Sequence, residues 1–275
     1  MRVEKIDLFS INKNVKFNGN CRVVTDAAGK LKYRSTTSFF RGDLNWEQFA
    51  QLLKQKYAKE TQIHILDYGC SSGEEPFSLL LSLKKVFDES EYKKFLPIIA
   101  KDIDSENIKD AKSGYLIVDN IEKTLIERML KDSRDVNFYN ILPKSDDFWL
   151  KYRHHNKYMV RLNSSLRNNI KFSTGDLIKE IDSLPDKNVV LMCRNMWPYF
   201  PRIEQVLLLN KISQKLRNTN SLIVFGDYDS PMCNQLEISL YSAPRGKMDD
   251  YTSIVHKGLK DNDYHETYVR NVFEI

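Results

Sequence analysis

Apolar positions along the chain follow two rhythms that alternate. IHILD (63–67), LPIIAKD (96–102), NIKFSTGD (169–176), NVVLMC (188–193) and SLIVFGD (221–227) are short runs of the kind that form buried strands. Between them the spacing turns helical. Trp46, Phe49, Leu53 and Tyr57 recur at helical intervals, with Asp43 placed to cap the first turn. EEPFSLLLSLKKVF is a helix that tolerates Pro76 in its first turn, where no backbone N–H is needed. A helix near SENIKDAKSG stops at Gly114, and PRIEQVLLLNKISQKLRN is amphipathic. Alternation of strand and helix predicts an α/β fold, a doubly wound, mostly parallel sheet with helices on both faces. SIVHKG and YVRNVFEI near the C-terminus read as a closing antiparallel pair, which brings the expected sheet to seven strands.

Two stretches break the alternation. Residues 1–34 form a short polar lead-in in which CRVVTDAAGKLKYR reads as two brief strands around an Ala-Ala-Gly turn. Around 116–165 lies an insertion, with the helix NIEKTLIERMLKD followed by a weakly patterned stretch to DFWLKYRHHNKYMVRL. No internal repeat, low-complexity tract or linker divides the rest.

Composition narrows this picture only a little. With 275 residues, 41% of them hydrophobic, the chain can bury one large core. A net charge of +5 falls short of the basic stripe of a nucleic-acid binder. Cys21, Cys70, Cys193 and Cys233 are far apart and form no CxxC pair, so the thiols read as reduced and no metal site is indicated. No apolar run approaches the roughly 18 residues of a membrane span, and no export signal is visible, which makes a cytoplasmic location the expectation.

The turn GCSSGEE after the first strand carries the first chemical clue. In an open parallel sheet the ligand crevice lies beyond the carboxyl ends of the strands. Gly69 and Gly73 let a ligand approach the backbone, and the amides at Ser72–Glu75 present partial positive charge, yet Glu74 and Glu75 would repel a phosphate. A ligand of mixed charge, such as an amino acid, resolves the conflict. Asp102 at the end of the second strand adds a carboxylate suited to both hydroxyls of a ribose. An amino-acid end joined to a ribose fits S-adenosylmethionine better than a dinucleotide. Taken singly, GCSSGEE could also be a tight turn with a capping box between Ser72 and Glu75, and Asp102 an ordinary helix entry.

The chain resembles the CheR-type protein-glutamate methyltransferases of bacterial chemotaxis. STTSFFR (35–41), GCSSGEEPFSL (69–79), KDIDSENIKDAKSGY (101–115) and CRNMWPYF (193–200) occur in the family's order, with FSTGDL (172–177) between the last two. The resemblance implies a Rossmann-like methyltransferase domain over 35–275 that uses S-adenosylmethionine and releases S-adenosylhomocysteine. It implies cofactor contacts from Ser35, where the family often has Asn, and from Thr37, Arg41, Gly69, Gly73, Glu74, Asp102, Asp176 with Leu177, and Arg194 with Asn195. Arg41 and Tyr199 are implied at the catalytic centre, and a protein is implied as the acceptor.

Carboxylate methylation needs alignment more than a base, and the planar fork of Arg41 suits a carboxylate. Phe39, Phe40, Trp197 and Phe200 could wall the pocket or belong to the core. Two alternatives stay open. A nucleic-acid or small-molecule amino-methyltransferase is one; those acting on nucleic acids carry an Asn-Pro-Pro-Tyr type loop at this strand, but here two residues separate Asn195 from Pro198. A non-catalytic module that only binds the cofactor is the other. KYRHHNKY (151–158) could dock an acidic partner or be a solvated edge. Because 34 residues precede the FFR motif, the helical N-terminal domain of receptor methyltransferases is expected to be missing or replaced.

Overall fold

In a computed structural model, the described residues are 37–140, 157–226, 229 and 272–275, with an antiparallel pairing of Val24–Thr25 and Leu31–Lys32 before them. Helix α1 (Trp46–Lys56) is capped by Asn45, whose side chain accepts from Gln48 N, and not by Asp43. Asn45 directly precedes the helix, whereas the carboxylate of Asp43 is drawn to arginines described below.

Strand β1 (His64–Tyr68) leads into α2 (Glu74–Val86), and β2 (Ile98–Asp102) into α3 (Ser105–Ser113), which Asp104 caps and Gly114 ends with φ +70°. A separate antiparallel sheet follows. It is built from β3 (Tyr115–Asp119), β4 (Val136–Asn140) and β5 (Lys157–Leu162), with β5 in the middle. Helix α4 (Asn120–Met129) crosses between β3 and β4, its entry fixed by a capping box of Asp119 and Glu122. The main sheet resumes with β6 (Ile170–Thr174), α5 (Leu177–Glu180), β7 (Val189–Met192), α6 (Arg202–Leu216), β8 (Leu222–Val224) and β9 (Val272–Glu274).

The main sheet runs β9-β8-β7-β1-β2-β6, with all neighbours parallel except the β8–β9 pair. The chain builds outward from β1 through β2 to β6, then returns to the other side of β1 with β7. The strand order therefore reverses between β1 and β7, where an open α/β sheet forms its ligand crevice. Among the described residues the sheet has six strands rather than the expected seven. YVRNVFEI supplies the antiparallel edge β9, while SIVHKG lies outside the described residues.

Helices cover both faces. Phe49 and Leu53 of α1 and Phe77 and Leu80 of α2 pack on one side, and Leu177 of α5 with Leu209 and Ile212 of α6 on the other. Phe39 and Phe40 belong to the first core and Trp197 to the second, so for these three aromatics the core reading holds.

Candidate active site

The β1–α2 turn is shaped by left-handed backbone at Gly69 (φ +81°), Ser71 (φ +50°) and Gly73 (φ +104°). A Cβ on Gly73 would lie 3.2 Å from both the Ala111 Cβ and the Phe77 ring, so conformation and packing both require glycine there. Gly73 is also the residue before α2 and offers no side-chain cap. The expected capping box of Ser72 and Glu75 does not form. Ser72 Oγ instead donates to the Glu74 carboxylate at 2.9 and 3.0 Å, because the left-handed Gly73 places Glu74 as the first helical residue. The turn is sewn to β2 by Gly69 N to Lys101 O (2.8 Å) and Ser71 N to Asp102 Oδ2 (2.8 Å).

Asp102 is buried, and its other oxygen accepts from Asp104 N at 2.8 Å, so two backbone amides fix its orientation. Glu74, the first residue of α2, is buried as well. Burial pushes its carboxyl up to about 7, against the opposing hydrogen bonds from Ser72 and Thr37. Asp67, the fourth residue of β1, is fully buried, and neither carboxylate oxygen has a hydrogen-bond partner. Burial and the nearby Glu75 hold it well above the usual carboxylate range, with Arg194 opposing.

The β7 loop supplies the opposite charge. The Arg194 side chain is wholly enclosed: Nη1 donates to Glu75 at 2.7 Å, Nη2 donates to Asp43, and the guanidinium carbon lies 4.8 Å from the centre of the Trp46 indole. Two carboxylates and an aromatic face balance the charge of a cation that the core could not otherwise hold, while its Nε is buried without a hydrogen-bond partner. The second oxygen of Asp43 accepts Asn195 Nδ2 at 2.9 Å and faces Arg41 Nε at 3.8 Å. Asp43 thereby ties the loop of Arg41 to the loop of Arg194. Arg41 itself keeps a quarter of its side chain exposed.

Asn195 is left-handed (φ +58°), and its backbone N–H donates to Asp229. Asp229 also accepts from Gly226 N (2.8 Å) and Trp197 N (3.3 Å), and burial pushes its carboxyl up to about 7. Tyr199 lies in the same loop, half-buried in a 3₁₀ turn whose backbone N bonds Met196 O at 3.1 Å. Asp176 caps α5 through Ile178 N at 3.0 Å and Leu177 is buried, both at the end of β6. Contacts thus join Thr37 to Glu74, and Arg41 to Arg194 and Asn195 through Asp43. Asp176 and Leu177 stand farther along the strand ends. Ser35 lies outside the described residues.

Asp43, Asp67 and Asp229 are components that the motifs did not single out, and Glu75 was read only as charge or cap. One signal pointed to Asp43 and Glu75: an arginine directly after the apolar run NVVLMC needs carboxylates if it is buried, though nothing in the spacing says which. Among the described residues, no group of three or more His, Cys, Asp or Glu side chains could hold a metal ion.

A doubly wound sheet whose β1/β7 crease is lined by buried acids is the framework of an S-adenosylmethionine-dependent methyltransferase. Residues 35–240 match the family model described as "CheR methyltransferase, SAM binding domain", and the chain belongs to that family. It is 24% identical over 220 residues to a chemotaxis protein methyltransferase of Borreliella burgdorferi, covering 78% of this chain and 70% of that protein. It is 23% identical to chemotaxis protein methyltransferase 2 of Pseudomonas aeruginosa, covering 66% of this chain and 58% of that protein, less than two thirds of its length. Among solved structures, a TehB-like SAM-dependent methyltransferase from Corynebacterium glutamicum has a TM-score of 0.35 and 15% identity, over 72% of this chain and 74% of that one. No helix among the described residues is long and apolar enough to cross a membrane.

Proposed function

We propose that the protein methylates a carboxylate of a protein, most simply a glutamate side chain, at the β1/β7 crease in the cytoplasm. The observation that carries this reading is Arg41: a partly exposed guanidinium held against the acid-rich crease by Asp43, at 3.8 Å from its Nε. A fork of this kind matches a planar carboxylate, and nothing in it suits an amine acceptor. Asn195, which an amino-methyltransferase would use to accept from its target amine, instead donates its side-chain amide inward to Asp43.

The residues present fit the cofactor. S-adenosylmethionine carries an ammonium and a sulfonium beside a single carboxylate. The crease offers Glu74, raised to about 7, and Asp67, with both oxygens unpartnered, and each gains from a cation placed nearby. Glu74, oriented by Ser72 and Thr37, would take the ammonium, while Gly69 and Gly73 allow close approach. Asp102 would take the ribose hydroxyls. Because β6 lies beyond β2 in the sheet, Asp176 and Leu177 would meet the nucleobase end. Arg194, enclosed by Asp43 and Glu75, serves as a positioning residue for Asn195 and Glu75.

When bound, the cofactor supplies a sulfonium-activated methyl group for in-line displacement by a carboxylate oxygen, the S–C bond breaking as the O–C bond forms. The acceptor is already ionised at neutral pH, so no general base is required. Arg41 holds one acceptor oxygen and leaves a lone pair of the other for attack, since a full bidentate grip would blunt the nucleophile. Alignment of this kind supplies several kcal/mol of the barrier. Tyr199, in the β7 loop, would border the reacting oxygen or the sulfonium. Opposite charges are annihilated in the step, so shielding from water favours it.

The test is transfer from methyl-labelled S-adenosylmethionine to a lysate, followed by mild alkali. A carboxyl ester loses its label as methanol. Base-stable label on nucleic acid or amine, or cofactor binding with no transfer to any fraction, would overturn the proposal.

A further inference from the structure

Tyr68, Lys101 and Glu180 come from the ends of β1 and β2 and from α5, and they meet on one carboxylate oxygen. Tyr68 Oη donates to Glu180 Oε2 at 2.8 Å and Lys101 Nζ donates to the same atom at 2.5 Å. Lys101 Nζ also lies 5.9 Å from the centre of the Tyr68 ring. The ion pair is sheltered, with side chains 23% and 27% exposed, so solvent screens it less than a surface pair. Gly175 sits directly against it: an added Cβ would lie 2.6 Å from Lys101 Cδ and 2.8 Å from Glu180 Oε1.

The turn that this cluster grips is the one between β6 and α5. Its first residue is tied to β2 by Gly175 N to Asp102 O (3.0 Å), and Glu180 N bonds Asp176 O (3.1 Å). Glu180 therefore joins the last turn of α5 to its cap, Asp176, while its carboxylate is anchored to two strands of the main sheet. With Lys101 and Glu180 paired, the cluster adds no net charge at this end of the crease.

We propose that Tyr68, Lys101 and Glu180 act together as a clamp that sets the Asp176–Leu177 turn against the nucleobase end of the cofactor. They are positioning residues for cofactor affinity and take no part in methyl transfer. This rests on the placement of the cofactor given under Proposed function.

The test is calorimetry with two probes, S-adenosylhomocysteine and 5′-methylthioadenosine, the second of which lacks the amino-acid end. Tyr68→Phe, which keeps the ring, and Glu180→Gln weaken both probes by the same factor, about tenfold, as expected for a lost charge-assisted bond. In turnover they raise KM for S-adenosylmethionine and leave kcat at saturation within about twofold. Lys101→Arg retains affinity where Lys101→Met loses it. Variants that lower Tm but leave Kd and KM unchanged, or that lower kcat alone, would overturn the clamp. If wild type binds S-adenosylhomocysteine but the variants bind it equally well, the clamp fails while the cofactor placement stands. If wild type binds neither probe, the placement fails and the clamp with it.

Discussion

Lowering the pH from 7.5 to 5.5 loosens cofactor binding while stabilising the ligand-free protein, and Glu74 links the two effects. Burial raises its carboxyl to about 7, well above the roughly 4.3 of a solvated glutamate. An ammonium is bound by the ionised form. At pH 7.5 about three quarters of such a group is ionised and at pH 5.5 about 3%, so affinity falls about 25-fold, or about 2 kcal/mol. The sign for folding is opposite. Because the folded pKa lies above the unfolded one, this contribution to stability is fully present below about 4.3 and is lost as pH rises through about 7. Asp229, also raised to about 7, acts in the same direction on stability but makes its contacts to backbone amides of the β7 and β8 loops. Glu75, Glu122 and Asp67 are raised as well, so the slope is assigned by difference. Calorimetric titration of S-adenosylhomocysteine is run from pH 5.5 to 7.5, where the ligand's α-amino group stays mostly charged. Glu74→Gln binds weakly at every pH with most of the slope removed, and its melting temperature gains less on acidification than that of wild type. Equal affinity at pH 5.5 and 7.5, or a slope undiminished in Glu74→Gln, would refute the reasoning.

Two substitutions probe the joints of the crease. Asp43→Ala removes one of the two carboxylates that enclose Arg194 and destabilises the protein by about 3–5 kcal/mol in denaturant unfolding; a loss under about 1 kcal/mol would mean that the ion pair is not what holds the two loops together. Asp229→Asn replaces an acceptor-only group with one that presents N–H to backbone amides, releases Asn195 and lowers kcat about tenfold with the circular dichroism spectrum unchanged, whereas unaltered turnover would make Asp229 a bystander.

The sheet was legible because buried parallel strands are short apolar runs, and IHILD, LPIIAKD and NVVLMC are distinct from the longer amphipathic stretches between them. The insertion showed itself as a lapse in that pattern, although only the structure resolves it into three antiparallel strands. Side-chain partners were not legible. Asp43 looks like a helix cap by spacing, yet a buried arginine 151 residues away outcompetes the open helix end, and Asn45 caps instead. Ser72 and Glu75 have the spacing of a capping box, but a left-handed Gly73 breaks the geometry that such a box needs. FSTGDL marks Gly175 as part of a motif but not why it is glycine, because the reason is a lysine and a glutamate packed where its Cβ would stand. Which carboxylate meets which cation is decided by strand order, and strand order is long-range.

The role of Arg41 is measured most directly by Arg41→Lys, which keeps the positive charge and removes the planar fork. With S-adenosylhomocysteine bound within a few-fold of wild-type affinity, transfer of alkali-labile methyl label to the protein acceptor falls at least about tenfold, the loss of one well-aligned charge-assisted bond. Wild-type rates of ester formation by Arg41→Lys would contradict the account.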